Sequence, residues 1–194
     1  MSVVITGVFD TYADALKAVK SLEDIGVDHN DISIVANDAS HRDDLEKTHA
    51  GEDAGIGAGI GAAAGSVGGL LAGLGVIAIP GVGPVVAAGW LAATLAGAVG
   101  VGAMGAAAGG LVGAFVKDGV AEDDANVYAE TIRRGGAVVS AKVHDRQLDA
   151  ARPILSSMHA ENLAARRQRF QAQGWTRFDP DATEYVPDRR TSRM

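Results

Sequence analysis

The chain has 194 residues, of which 47% are apolar but only 5% aromatic, and a formal charge of −7. That sign disfavours broad attraction to nucleic acid or anionic lipid, so no nucleic-acid partner is expected. With no cysteine there can be no disulfide, thiol chemistry or thiolate metal site.

Residues 2–9, SVVITGVF, are β-branched and apolar, and read as a strand. Asp10 and Thr11 then offer N-cap oxygens to a helix over Tyr12–Ile25, with Leu16, Val19, Leu22 and Ile25 on one face. Gly26 stops it, and DISIVA, Asp31–Ala36, is a second strand. The pattern returns at a constant offset of 135: Val3, Val4, Val8, Asp10, Asp14 and Ala15 are matched by Val138, Val139, Val143, Asp145, Asp149 and Ala150. This points to two similar halves, the second running as strand Ala137–Val143, helix Arg146–His159 and a short strand near Asn162–Ala164. Pro153 is an awkward residue for that helix interior. Two βαβ halves in one small α+β domain predict a ferredoxin-like plait.

Between the halves, residues 37–53 form a polar connector and 54–116 a segment without Asp, Glu, Lys, Arg or His that holds 19 of the 26 glycines. Gly57, Gly61, Gly65, Gly69 and Gly73 recur every four residues; Gly89 and Gly97, then Gly105, Gly109 and Gly113, keep the spacing. In a helix such residues form one stripe along which another helix can approach closely. Glycine is about 1 kcal/mol worse than alanine in a helix interior, so such a stripe needs a partner. Pro80, Gly81, Gly83 and Pro84 supply a turn, which makes the expectation a glycine-zipper helical hairpin with a defect around Gly100–Gly102. An arm from Ala54 to Ile79 would be roughly 39 Å long, enough for a hydrocarbon core of about 30 Å. Its flanks are acidic, however: residues 38–53 carry six acids against two basic residues. Lipid and a second copy of the hairpin both remain open as what it packs against. Trp90 suits either an interfacial belt or a core.

Residues 117–165 hold the second half, introduced by an amphipathic helix over Val120–Arg134 with acids in its first turn, Arg133 and Arg134 in its last and Gly135 as its stop. Residues 166–194 are a tail in which Trp175, Phe178 and Tyr185 alternate with arginines and prolines; it starts in helical register and turns irregular at Gly174. It can clamp its own domain, meet a neighbouring subunit or stay disordered.

Sites for chemistry are absent from the pattern. GIGAGIGAAAG follows a polar connector rather than a strand and lacks both a Lys-Ser/Thr and a ribose-binding acid, against nucleotide-binding motifs. His41 and His49, eight residues apart, match no zinc spacing. His144 and His159 have no nucleophile beside them in sequence, and Ser140, Ser156 and Ser157 stand in no nucleophile elbow. No enzyme activity, cofactor or metal is expected, and any small-molecule ligand is unspecified.

Four stretches carry a resemblance to a known family: GVFDTYADALKAVKSLEDIGV, GLLAGLGVIAIPGVGPVVAAG, VYAETIRRGGAVVSAKV and GWTRFDPD. Through them the chain resembles the bacterial heat-induced general-stress proteins of the YflT type, in particular longer members with a glycine-rich central insertion. The resemblance implies a role in stress physiology and a small α/β domain, and transfers no catalytic residue. The expectation is a stress-associated protein that forms homo-oligomers through its hairpin at or in the cytoplasmic membrane, with the α/β domain on the cytoplasmic side. The alternative is a soluble ligand-binding or sensory oligomer whose hairpins are buried in a helical bundle.

Overall fold

The computed structural model describes residues 2–38, 75–79, 81–100, 103–157, 162–182 and 185. Gly57, Gly61, Gly65, Gly69, Gly73 and Pro80 lie outside them, as does the connector beyond Asp38.

β1 (Ser2–Phe9) leads into α1 (Tyr12–Asp24), whose N-cap is Thr11: its hydroxyl accepts from the Asp14 amide at 3.1 Å. Gly26 follows the C-cap at φ +83°, the left-handed turn that closes a helix. A short 3-10 turn, His29–Asp31, delivers the chain to β2 (Ile32–Asn37). β3 (Gly75–Ile79) and β4 (Gly83–Ala88) come next, followed by α2 (Trp90–Gly100), α3 (Ala103–Lys117) and α4 (Glu122–Arg133). β5 (Ala137–His144), α5 (Asp145–Ser157) and α6 (Leu163–Ala172) complete the order.

The five strands form one antiparallel sheet in the order β1-β5-β2-β4-β3. Alternation along each strand gives it two apolar faces. Phe9, Ile32, Ile34, Val86, Val139 and Val143 face α1 and α5, while Val8, Val35, Val85 and Val138 face the layer made by α2, α3 and α4. The result is helices on both sides of an antiparallel sheet, with a core in each interlayer space.

The two similar halves are both seen as a strand followed by a helix. β1 and β5 are each 8 residues long, α1 and α5 each 13. β1 pairs antiparallel with β5 from Ser2↔His144 to Phe9↔Ala137, and both helices pack on the same face. The halves diverge after their helices. β2 returns to the sheet beside β5, but the strand expected near Asn162–Ala164 is replaced by α6, which Asn162 caps by accepting from the Ala164 amide at 2.9 Å. The outer edge of β1 therefore lacks, among the described residues, the strand that would close a plait.

The larger correction concerns residues 75–88. The expected helical arms meet here as strands, joined by a tight turn in which Ile79 pairs with Gly83 and Pro84 with Ala78. Gly81 (φ +73°) and Gly83 (φ +90°) supply the left-handed conformations of that turn. Side chains of Ile79, Val82 and Val85 are buried, so β-branched alternation against a sheet outweighs the small-residue pattern. After this hairpin the chain is helical, with α2 ending at Gly100 and α3 starting at Ala103; α3 also leaves helical geometry at Gly110 (φ 3°, ψ −137°).

Candidate functional site

The residues expected to form a zipper separate into different roles. Gly89 (φ +82°) is a junction between β4 and α2, where a Cβ would overlap the Ile32 carbonyl oxygen and stand 2.6 Å from Ser33 Oγ. The space it vacates lets the Leu91 amide donate to the Ser33 hydroxyl at 3.0 Å, which caps the start of α2. Gly97 lies in α2, and Gly105 and Gly109 lie in α3. Gly113 lies in the last two turns of α3, where an added Cβ would meet nothing within 4 Å; it approaches no element of this chain. Gly81 is crowded for a different reason. Its Cβ would fall 2.7 Å from the carbonyl oxygens of Asp179 and Pro180, so the tail runs directly over the hairpin turn.

That contact settles how the described part of the tail behaves. Phe178 is buried with Ile79 and Val82, and its amide donates to the Asn126 side chain of α4 at 3.1 Å. The tail thus clamps its own domain. Upstream, Trp175 stacks edge-on against Phe170, with ring centroids 5.7 Å apart.

The same clamp, with α6 and the end of α4, encloses a cleft of about 240 Å³ at the junction of β1 and β5. Gly136 makes the junction possible: a Cβ there would stand 2.7 Å from the Phe9 carbonyl oxygen and 2.6 Å from Thr131 Cγ2. Three arginines line the cleft. Arg134 caps α4, and Arg166 and Arg169 stand one turn apart on α6. Arg166 is buried, its side chain 3% exposed, and donates to Asp10 at 2.8 Å; Arg169 reaches the same carboxylate at 3.9 Å. Arg134 donates to the Gln173 side chain, and its guanidinium lies between rings, 4.3 Å from the centroid of Phe170 and 5.3 Å from that of Tyr185.

Beneath this group sits Glu130, 1% exposed. It takes two bonds from Arg133, at 2.8 and 2.7 Å, and one from Arg134 at 2.5 Å. Those bonds hold the Arg133 guanidinium above its ordinary value, so it stays charged. A carboxylate buried this deeply requires such partners. Because Arg133 offsets Glu130, the balance in the cleft falls to Arg134, Arg166 and Arg169 against Asp10 alone. The cleft is electropositive.

A second, more apolar cleft of about 310 Å³ lies where Thr6 and Tyr128 meet Leu155 and Asn162. Its hydroxyls are engaged: Thr6 and Ser140 lie 2.9 Å apart, and Tyr128 bonds to Thr6. Ser140, set within a strand face, is a structural hydroxyl rather than an exposed nucleophile. Burial, helped by Asp124, pushes Tyr128 up to about 12. His144 is exposed at the end of β5, its amide accepting no role beyond donating to Gln147 Oε1 at 3.2 Å. Trp90, half-buried at the start of α2, packs on the core with Lys142 Nζ 4.1 Å from its ring centroid. No group of His, Asp or Glu among the described residues could hold a metal ion, and no described helix is long and apolar enough to cross a membrane.

None of the residues lining the arginine cleft stands out in sequence as a site. The usable cues are the i,i+3 spacing of Arg166 and Arg169 and the paired arginines ending α4, both of which also suit a solvated surface. Asp10, which reads as a cap, instead anchors Arg166.

No curated protein and no solved structure matches the chain. One family does: residues 4–76, from β1 through β2 into β3, match the heat induced stress protein YflT domain, and the chain carries a YflT-like stress-protein segment over that span.

Proposed function

We propose that this chain is a non-enzymatic, stress-associated protein that self-associates through its uncharged segment, residues 54–116. The family supplies the stress context. The observation that carries self-association is the outer side of α3. Val116 is 41% exposed, Val112 is half-buried, and Gly110 and Gly113 leave open space where side chains would stand. No charged residue occurs there until Lys117. Val76, at the sheet edge, is 65% exposed. A smooth, uncharged helix surface is one that a second copy of the chain can cover closely.

Membrane spanning is the weaker form of the idea. β3 occupies the end of the expected 39 Å arm, and α2 and α3, of 11 and 15 residues, reach only about 16 and 22 Å against a hydrocarbon core of about 30 Å. The native mass, measured by sedimentation in buffer and in detergent, tests the proposal. Gly113→Glu places a charge on the outer face without crowding this chain, so it should lower the oligomeric mass and leave the thermal midpoint of the subunit intact. A wild-type mass in that variant would remove the proposed surface, and retention of the protein in membranes after alkaline carbonate washing would favour insertion instead.

A further inference from the structure

The arginine cleft has a chemistry that self-association does not use. Its walls bring Arg134, Arg166 and Arg169 to one opening with Asp10 as their carboxylate, which leaves two positive charges over. Arg166 is the telling residue. Its guanidinium is 3% exposed, whereas the Asp10 carboxylate it bonds is 56% exposed, so the cation is buried more deeply than the acid that offsets it. Guanidinium groups cannot shed their charge, and their planar forks match the oxygens of phosphate and carboxylate. The tail beyond Tyr185 is no counterweight, since residues 186–194 carry three arginines and one aspartate. Phe170 and Tyr185 hold the Arg134 guanidinium between their rings, which fixes its plane before any ligand arrives.

We infer that this cleft binds a phosphate monoester, the dianion whose charge equals the excess and whose oxygens can take bonds from all three arginines. A monocarboxylate offers two oxygens and one charge, and would leave one guanidinium unmatched. The volume of about 240 Å³ suits a phosphoryl group with a small substituent.

The test uses the full chain and titration calorimetry at constant ionic strength, with inorganic phosphate, glycerol phosphate and acetate as probes. Phosphate and glycerol phosphate should saturate at one per chain, and acetate should not. Arg169→Gln, at an exposed side chain that the fold does not depend on, should weaken both by about tenfold or more without moving the thermal midpoint. Arg134→Gln should do the same, and if it unfolds the chain, Arg169→Gln still decides. A response shared with acetate, or one that survives Arg169→Gln, overturns the inference. Vesicles containing phosphatidic acid identify the source. Sedimentation with them that glycerol phosphate displaces means a lipid headgroup can occupy the same cleft, absence of sedimentation means a soluble ester, and sedimentation that glycerol phosphate leaves unchanged, with no soluble ester binding, refutes the site.

Discussion

At Gly89 a single missing side chain joins two layers. The chain leaves β4 at φ +82° and passes so close to β2 that only hydrogen fits, and Ser33 then uses its hydroxyl to cap α2. The spacing that placed Gly89 in a zipper stripe is real in sequence, but the residue is fixed by backbone conformation and by β2, not by a facing helix. Tyr128 shows a buried polar group of another kind. Burial raises its pKa from 10.0 to about 12, and Tyr12 is shifted in the same direction by the same cause. A phenol that ionises less readily in the folded state contributes stability that is whole below pH 10 and is lost as pH rises through about 12. For Tyr128 the loss is roughly 2 kcal/mol. Urea unfolding between pH 8 and 12 should show stability falling from pH 10 upward, and Tyr128→Phe should flatten the fall; an unchanged slope would mean that this phenol does not govern it.

Among the elements, those with a clear apolar period and a chemical cap were legible from sequence. β1 spans Ser2–Phe9 as read, α1 has Thr11 and Gly26 at its ends, and α4 has its acids in the first turn and Arg133 in the last. Gly75–Ala88 was not, because short runs of small apolar residues fit a helix and a buried strand alike. The deciding cue was β-branching: Val76, Ile77, Ile79, Val82, Val85 and Val86 around a Pro-Gly turn suit a hairpin better than a helix. Asn162–Ala164 failed for the opposite reason, since an Asn cap oxygen outweighed a three-residue apolar hint. The tail was legible only as an aromatic cluster. What it does depends on Phe178, which fills the space beside Ile79 and Val82, and on two carbonyls resting on Gly81. Phe178→Ala should cost about 3 kcal/mol in denaturant unfolding and make the tail cleavable by protease in the native state. A loss below about 1 kcal/mol, the size of a typical surface change, would show that the tail is not part of the core.

For the whole molecule, the order of the strands matters more than their number. β1 and β2 belong to the family-matched span, yet they do not touch as neighbours: β5, more than 130 residues after β1, lies between them and pairs with both. Sequence periodicity finds the halves but cannot say that the second half inserts its strand into the first, because that arrangement is fixed by pairing at long range. The consequence is that residues 1–79 are not a folding unit. Without β5, eight residues of β1 and the inner edge of β2 lose their ladder bonds, and Phe9, Ile34 and Val35 lose a wall of core. A fragment of residues 1–79 should therefore show no cooperative thermal transition by circular dichroism, and mixing it with a fragment of residues 80–194 should restore one at a 1:1 ratio. If the first fragment melted cooperatively as a monomer, β1 and β2 would have to pair some other way, and the insertion of β5 would lose its place as the step that closes the fold.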